Sequence, residues 1–207
     1  DIKRYSYQYA GLYLISTFPA KGYEIDDYPA VKDYLLRFGI ERLEQTGKEY
    51  IINGERVKAR KKTSNKWYET QDSISYWDEF SKPKIIWKRV GSIIRFSYDT
   101  TGILGLDSTC FATGESIQYI CCVLNSPMGH YLLNGAPRTG TGDLLISVQA
   151  VEPLRFPLIS DNQKIIFQEL LDKIILGKQV DNEINRLIFD LYGLSEEERV
   201  YIIENYA

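Results

Sequence analysis

Apolar and polar positions change rhythm repeatedly along this 207-residue chain. Near the start, aromatic and polar residues alternate and lead into Leu12-Tyr13-Leu14-Ile15, a pattern that predicts a strand. From Pro29 onward, Val31, Tyr34, Leu35 and Phe38 recur at three- and four-residue spacing, which predicts a helix with one buried face. Gly39 interrupts that helix, and its amphipathic pattern persists to about Leu43. Tyr50-Ile51-Ile52, bracketed by Gly47 and Gly54, predicts a short strand. Lys84-Ile85-Ile86-Trp87 and Ile93-Ile94-Arg95-Phe96 are rich in β-branched and aromatic residues and predict neighbouring strands on either side of Gly91. Between Ser116 and Leu133, Ile117, Ile120, Val123 and Leu124 keep helical spacing and Pro127 forces a restart, so two short helices are expected. A glycine-rich loop from Gly135 to Gly142 then precedes an expected strand from Leu144 to Val148.

The last fifth changes character. Ser160 with Gln163 forms a capping box ahead of Ile165, Ile166, Leu170, Ile174 and Ile175, and Gly177 is a natural stop. Val180, Ile184, Leu187, Ile188 and Leu191 mark a second helix ending at Gly193, and Ser195 with Glu198 caps a third. The expected fold is α+β: a mixed-sheet body with flanking helices over residues 1–158, followed by a helical segment over 159–207. The length suits one large domain or one domain with a small appendage. The chain has no internal repeat or low-complexity tract, and it begins without Met in mid-pattern, as a piece of a longer protein would.

Net charge is −3, yet the charges are unevenly spread. From Arg56 to Arg95 eleven Lys and Arg face four acids, a net of +7, which leaves −10 for the rest of the chain. Such asymmetry points to a polyanion-binding surface. Cys110, Cys121 and Cys122 form no spaced C-x-x-C pair, so buried, inert thiols in a reducing, cytoplasmic setting are expected rather than a disulfide frame or a zinc site with His130. No apolar run approaches the roughly 18 residues of a membrane helix.

Catalytic motifs do not emerge: there is no Pro-Pro pair, no Glu-x-Lys, and no Walker A lysine motif. Thr139-Gly140-Thr141-Gly142 lacks the third glycine and the strand-to-helix setting of a dinucleotide loop. It reads as a surface turn or as a phosphate clasp made with Arg138 and Thr139. Between Arg56 and Arg95 all three tryptophans, Trp67, Trp77 and Trp87, interleave with cations. Lysine and arginine neutralise phosphates, and bidentate contacts in the major groove discriminate bases. Lys58, Arg60, Lys61, Lys62 and Lys66 are the expected phosphate contacts, followed by Lys88, Arg89, Arg138 and Thr139. Trp67 and Tyr68 would support the recognition loop or anchor it.

Asp1-Ile2-Lys3-Arg4-Tyr5 resembles the end of the Gly-Arg-Asp-Ile-x-x-Tyr signature that opens the TaqI-like C-terminal specificity domains of type IIG restriction-modification enzymes. Asp27-Tyr28-Pro29-Ala30-Val31-Lys32, Lys66-Trp67-Tyr68-Glu69, Tyr76-Trp77, Lys82-Pro83-Lys84-Ile85-Ile86-Trp87, Asp107-Ser108, Leu124-Asn125-Ser126 and Arg155-Phe156-Pro157 follow in the order expected of that family. Ile188 to Glu198 is similar to the ending of type I specificity subunits, where such helices pack against the methyltransferase part.

The resemblance implies sequence-specific recognition of double-stranded DNA, with no catalysis in this segment. The parent enzyme would methylate adenine with S-adenosylmethionine, flipping the base out of the stack, and cleave nearby DNA with Mg2+. Its methyltransferase/endonuclease part would be the segment's other partner. Family base-reading residues vary with target, so none is carried over. The alternatives are a protein-interaction module without DNA contact, a type I specificity subunit, and an enzyme with an unfamiliar site.

Overall fold

The computed structural model describes residues 1–207, which divide into two compact units: Gly11–Trp77, and Asp1–Ala10 together with Asp78–Ala207. The fold is α+β. Its contacts divide the chain elsewhere than at the expected 158/159 boundary.

In the smaller unit the expected strand at Leu12–Ile15 is irregular backbone. Leu12, Tyr13 and Leu14 are exposed, so the alternation there marks no buried sheet face. α1 (Pro29–Leu36) starts on Pro29, whose missing N–H costs nothing in the first turn. Gly39, at φ 85°, turns the chain into the single turn α2 (Ile40–Leu43). The expected buried face is only half realised: Val31 and Leu35 are half-buried, but Tyr34 and Phe38 are exposed and meet edge to face, with ring centroids 5.5 Å apart. β1 (Glu49–Ile52) and β2 (Glu55–Lys58) form an antiparallel hairpin through Asn53-Gly54. Both turn residues have positive φ, 51° and 82°, the geometry Asn-Gly adopts at least cost.

The larger unit is built on a three-stranded antiparallel sheet in which β3 (Lys84–Lys88) is central, between β5 (Phe96–Asp99) and β6 (Thr109–Thr113). β4 (Val90–Gly91) pairs instead with β7 (Leu144–Leu145). The expected strand at Ile93–Phe96 therefore begins only at Phe96, because residues 92–95 bend away as a connection. The strand expected to reach Val148 stops at Leu145, and Val148 instead opens the one-turn α5 (Val148–Val151). The amino-terminal segment lies along β5: Tyr5 N donates to Phe96 O at 2.9 Å, and Tyr98 N donates to Tyr5 O at 3.2 Å.

The expected pair of short helices is present as α3 (Ile117–Leu124) and α4 (Pro127–Leu133). Between them Asn125 clamps β5, accepting from Phe96 N at 3.0 Å and donating to Phe96 O at 2.7 Å. Gly129 admits no side chain, since a Cβ there would stand 2.2 Å from Val123 O. Both expected capping boxes form, opening α6 (Asp161–Ile175) and α8 (Glu196–Tyr206), and Gly193 ends α7 (Asp181–Tyr192) in left-handed geometry. These helices bury Phe167, Leu171, Ile188 and Ile202 in the same core as Ile85, Trp87 and Val123. They thus complete the body's own core.

Candidate nucleic-acid interface

The cations expected to meet phosphate begin on β2 and continue into the loop after it. The hairpin pairing runs on past the ladder, with Ala59 N donating to Lys48 O and Gly47 N to Arg60 O, each at 2.9 Å. Arg60 then turns inward. Its guanidinium donates to Leu43 O at 2.7 Å, to Glu69 O at 2.9 Å, and to Trp67 O. Gln45, only 5% exposed, donates to Lys66 O at 3.0 Å and Glu69 O at 2.8 Å, and accepts from Thr63 Oγ1 at 2.6 Å. The Glu69 carboxylate accepts from Lys66 N at 2.7 Å, and Asn65 Nδ2 donates to Thr70 O at 2.9 Å. Buried polar groups that are fully paired hold a backbone in one geometry. The loop from Arg60 to Gln71 is therefore fixed from within.

Lys58, Lys61 and Lys62 project from this braced stretch, exposed and outside any ion pair. Lys66 is also exposed but pairs with Glu24 at 2.6 Å and lies 5.6 Å from the Tyr68 ring centroid; its hydrogen bond to Glu24 pushes its pKa up. Trp67 is half-buried against Tyr68, and Tyr68 is buried with its hydroxyl donating to Tyr23 O at 2.8 Å. Both aromatics anchor the loop.

Arg60 has a second task beside the expected one. With three carbonyls around its guanidinium it braces the loop, which occupies three of its five N–H donors. Gln45, Asn65 and Glu69 escaped the sequence reading, since a polar side chain that turns inward has no periodic signature. Only Glu69 had a signal, as the last residue of the Lys66-Trp67-Tyr68-Glu69 motif.

The positive run from Arg56 to Arg95 is shared between the two units. Residues 11–77 carry eleven basic and ten acidic side chains, and the larger unit carries 14 and 18. Arg56 stands 3.6 Å from Glu49, Lys82 pairs with Glu79 at 2.5 Å, and Lys84 forms a fully buried pair with Asp99. In the larger unit Lys88 is exposed, 3.6 Å from Asp1, and Arg89 is exposed beside it. Arg138 donates to Gly142 O at 2.9 Å, while Thr139 N donates to Asp143 O at 2.8 Å and Gly142 N to Thr139 O at 2.9 Å. The glycine-rich loop thus closes as a surface turn whose Thr139 and Gly142 amides are occupied.

Trp87 is a core residue, with its indole N–H donating to Ile146 O at 2.7 Å, and Trp77 packs edge to face on Phe18 at 4.8 Å. Cys121 and Cys122 are buried on α3, where desolvation pushes the Cys121 thiol up to about 12 and Cys122 upward as well. Cys110 is only half-buried. His130 Nδ1 donates to Tyr206 O at 2.9 Å, and burial lowers its pKa.

A loop that is rigid within and cationic without suits a module that holds a polyanion. The family of TaqI-like C-terminal specificity domains matches residues 1–139, two thirds of the chain, and the chain belongs to that family. Such domains recognise DNA sequence in restriction-modification systems and are not themselves catalytic. No curated protein matches the chain. No helix is long and apolar enough to cross a membrane.

Proposed function

We propose that this chain reads duplex DNA as the specificity module of a type IIG restriction-modification enzyme. Lys58, Lys61 and Lys62 make the phosphate contacts in the smaller unit, and Lys88 and Arg89 add contacts in the larger one. Adenine methylation with S-adenosylmethionine and Mg2+-dependent cleavage belong to the parent's other parts. The observation that carries this reading is the loop from Arg60 to Gln71, whose polar interior fixes its backbone while Lys61 and Lys62 remain exposed. A surface prepared in this way loses little conformational freedom on binding.

The test is a binding selection on random duplexes with the parent enzyme, repeated with Lys58→Glu, Lys61→Glu and Lys62→Glu combined. Each phosphate contact contributes about 0.9 to the slope of log K against log salt. The triple variant should therefore bind more weakly with a visibly shallower slope, while selecting the same sequence. Unchanged affinity together with an unchanged slope would remove this stretch from the interface.

A docking role for the helical segment has its own supporting observation. Leu158, Ile165, Leu176, Val200, Tyr201 and Ile203 are exposed apolar residues on or beside α6 and α8.

A further inference from the structure

The positive charge of the smaller unit lies in one stretch. Residues 47–62 carry six basic and two acidic side chains, which leaves five and eight of the unit's eleven and ten for all its other residues. This stretch is the β1–β2 ribbon with its continuation on both sides, and the ribbon is a sheet of two strands. Register and alternation sort its side chains. Glu49 stands opposite Lys58 and Ile51 opposite Arg56, so these four share one face, while Tyr50 and Val57 share the other. The face with Tyr50 and Val57 is half-buried, and the Tyr50 hydroxyl donates to Glu44 Oε2 at 2.6 Å. The face with Glu49, Ile51, Arg56 and Lys58 is exposed at all four positions.

Two side chains on that exposed face suit base edges better than phosphate. Ile51, 71% exposed in mid-strand, has nothing to offer a phosphate, but apolar side chains meet the thymine methyl in the major groove. The Glu49 carboxylate is repelled by phosphate, whereas cytosine N4 donates to a carboxylate. Arg56 adds a guanidinium fork of the kind that matches guanine O6 and N7. Its side chain is 76% exposed and stands 3.6 Å from Glu49, beyond hydrogen-bond length. The face thus offers a donor, an acceptor and an apolar contact, with Lys58, Lys61 and Lys62 exposed on the same stretch for the DNA backbone. The major groove, about 12 Å wide, admits a two-stranded ribbon.

We infer that the β1–β2 ribbon enters the major groove with this face toward the bases, and that Arg56 and Ile51 determine sequence there, Arg56 on a guanine and Ile51 on a neighbouring thymine methyl. The inference rests on the DNA-reading function proposed above and names the residues that give it specificity.

The selection on random duplexes with the parent enzyme is repeated with Arg56→Gln and, separately, with Ile51→Ser. Both side chains are exposed, so neither unfolding midpoint should move. Arg56→Gln should lose about tenfold or more of the preference for guanine at one position, as loss of a bidentate pair gives, and shift it toward adenine, which Gln reads. Ile51→Ser should relax a neighbouring A·T position about fourfold, as loss of one buried methyl contact gives. Lys61→Glu is the contrast: it should weaken all duplexes alike and leave the selected sequence intact. An Arg56→Gln enzyme that selects the natural sequence, whether or not its affinity falls, overturns the inference and leaves the DNA-reading function standing. A natural enzyme that selects no sequence overturns that function and the inference with it.

Discussion

The two units are held together by different forces. In the larger one an apolar core runs from β3 through α3 into α6, α7 and α8, and a buried ion pair sits among the strands. In the smaller one the buried apolar side chains are Phe18, Ile25, Ala59 and Tyr68, and the work of fixing the backbone falls to Gln45, Arg60, Asn65 and Glu69. Burial of apolar area is non-directional and roughly proportional to area, whereas a paired polar group specifies one geometry. The contrast teaches that stability is concentrated where the core is, and that the exposed lysines are carried where geometry is specified.

The sharpest way to break this comparison is Lys84→Met. It leaves Asp99 charged and buried without its partner, an expected cost of about 3–5 kcal/mol, measured by urea unfolding of the larger unit followed at Trp87. A loss under about 1 kcal/mol would show that the pair is marginal to the core.

The same carboxylate gives the next effect. Burial alone would raise the Asp99 pKa, but hydrogen bonds from Lys84, Thr101 and Tyr7 outweigh it and hold the group at about 2, below its ordinary 3.8. A depressed carboxylate stabilises the fold above its unfolded value, so this contribution should be complete above about pH 4 and fade as pH falls toward 2. Urea midpoints in that window should decline less in an Asp99→Asn variant than in the natural chain.

Gln45→Ala should be milder, about 1–3 kcal/mol, because it removes one donor each from Lys66 O and Glu69 O and leaves the part-buried Thr63 hydroxyl without its acceptor. Its signature is local: faster hydrogen exchange at the amides of residues 63–70, with Trp87 unaffected. Exchange that stays slow there would mean the brace is redundant. The smallest change belongs to Lys61→Ala and Lys62→Ala, for which the unfolding midpoint should not move.

Legibility followed the same division. The capping boxes at Ser160 and Ser195, the Gly193 stop and the restart at Pro127 all stand in the structure where their local chemistry places them, because each depends on neighbours in sequence. The smaller unit was harder to read. Tyr34 and Phe38 have core spacing, yet no core is large enough to cover them. Asn53-Gly54 announces β2 through turn chemistry that apolar alternation alone does not reveal. Arg60 looks like its neighbours Lys61 and Lys62 in a list of charges. Only the convergence of Leu43, Trp67 and Glu69 carbonyls separates it from them, and that convergence is made by chain folding.

Residues 11–77 leave the larger unit after Ala10 and rejoin it at Asp78. No single cut therefore parts one unit from the other. A truncation from the amino end that removes the smaller unit also strips Tyr5 from its place beside β5 and Tyr7 from Asp99. Exchange of this stretch between related chains, in a laboratory or by recombination, must be a cassette transfer with two seams.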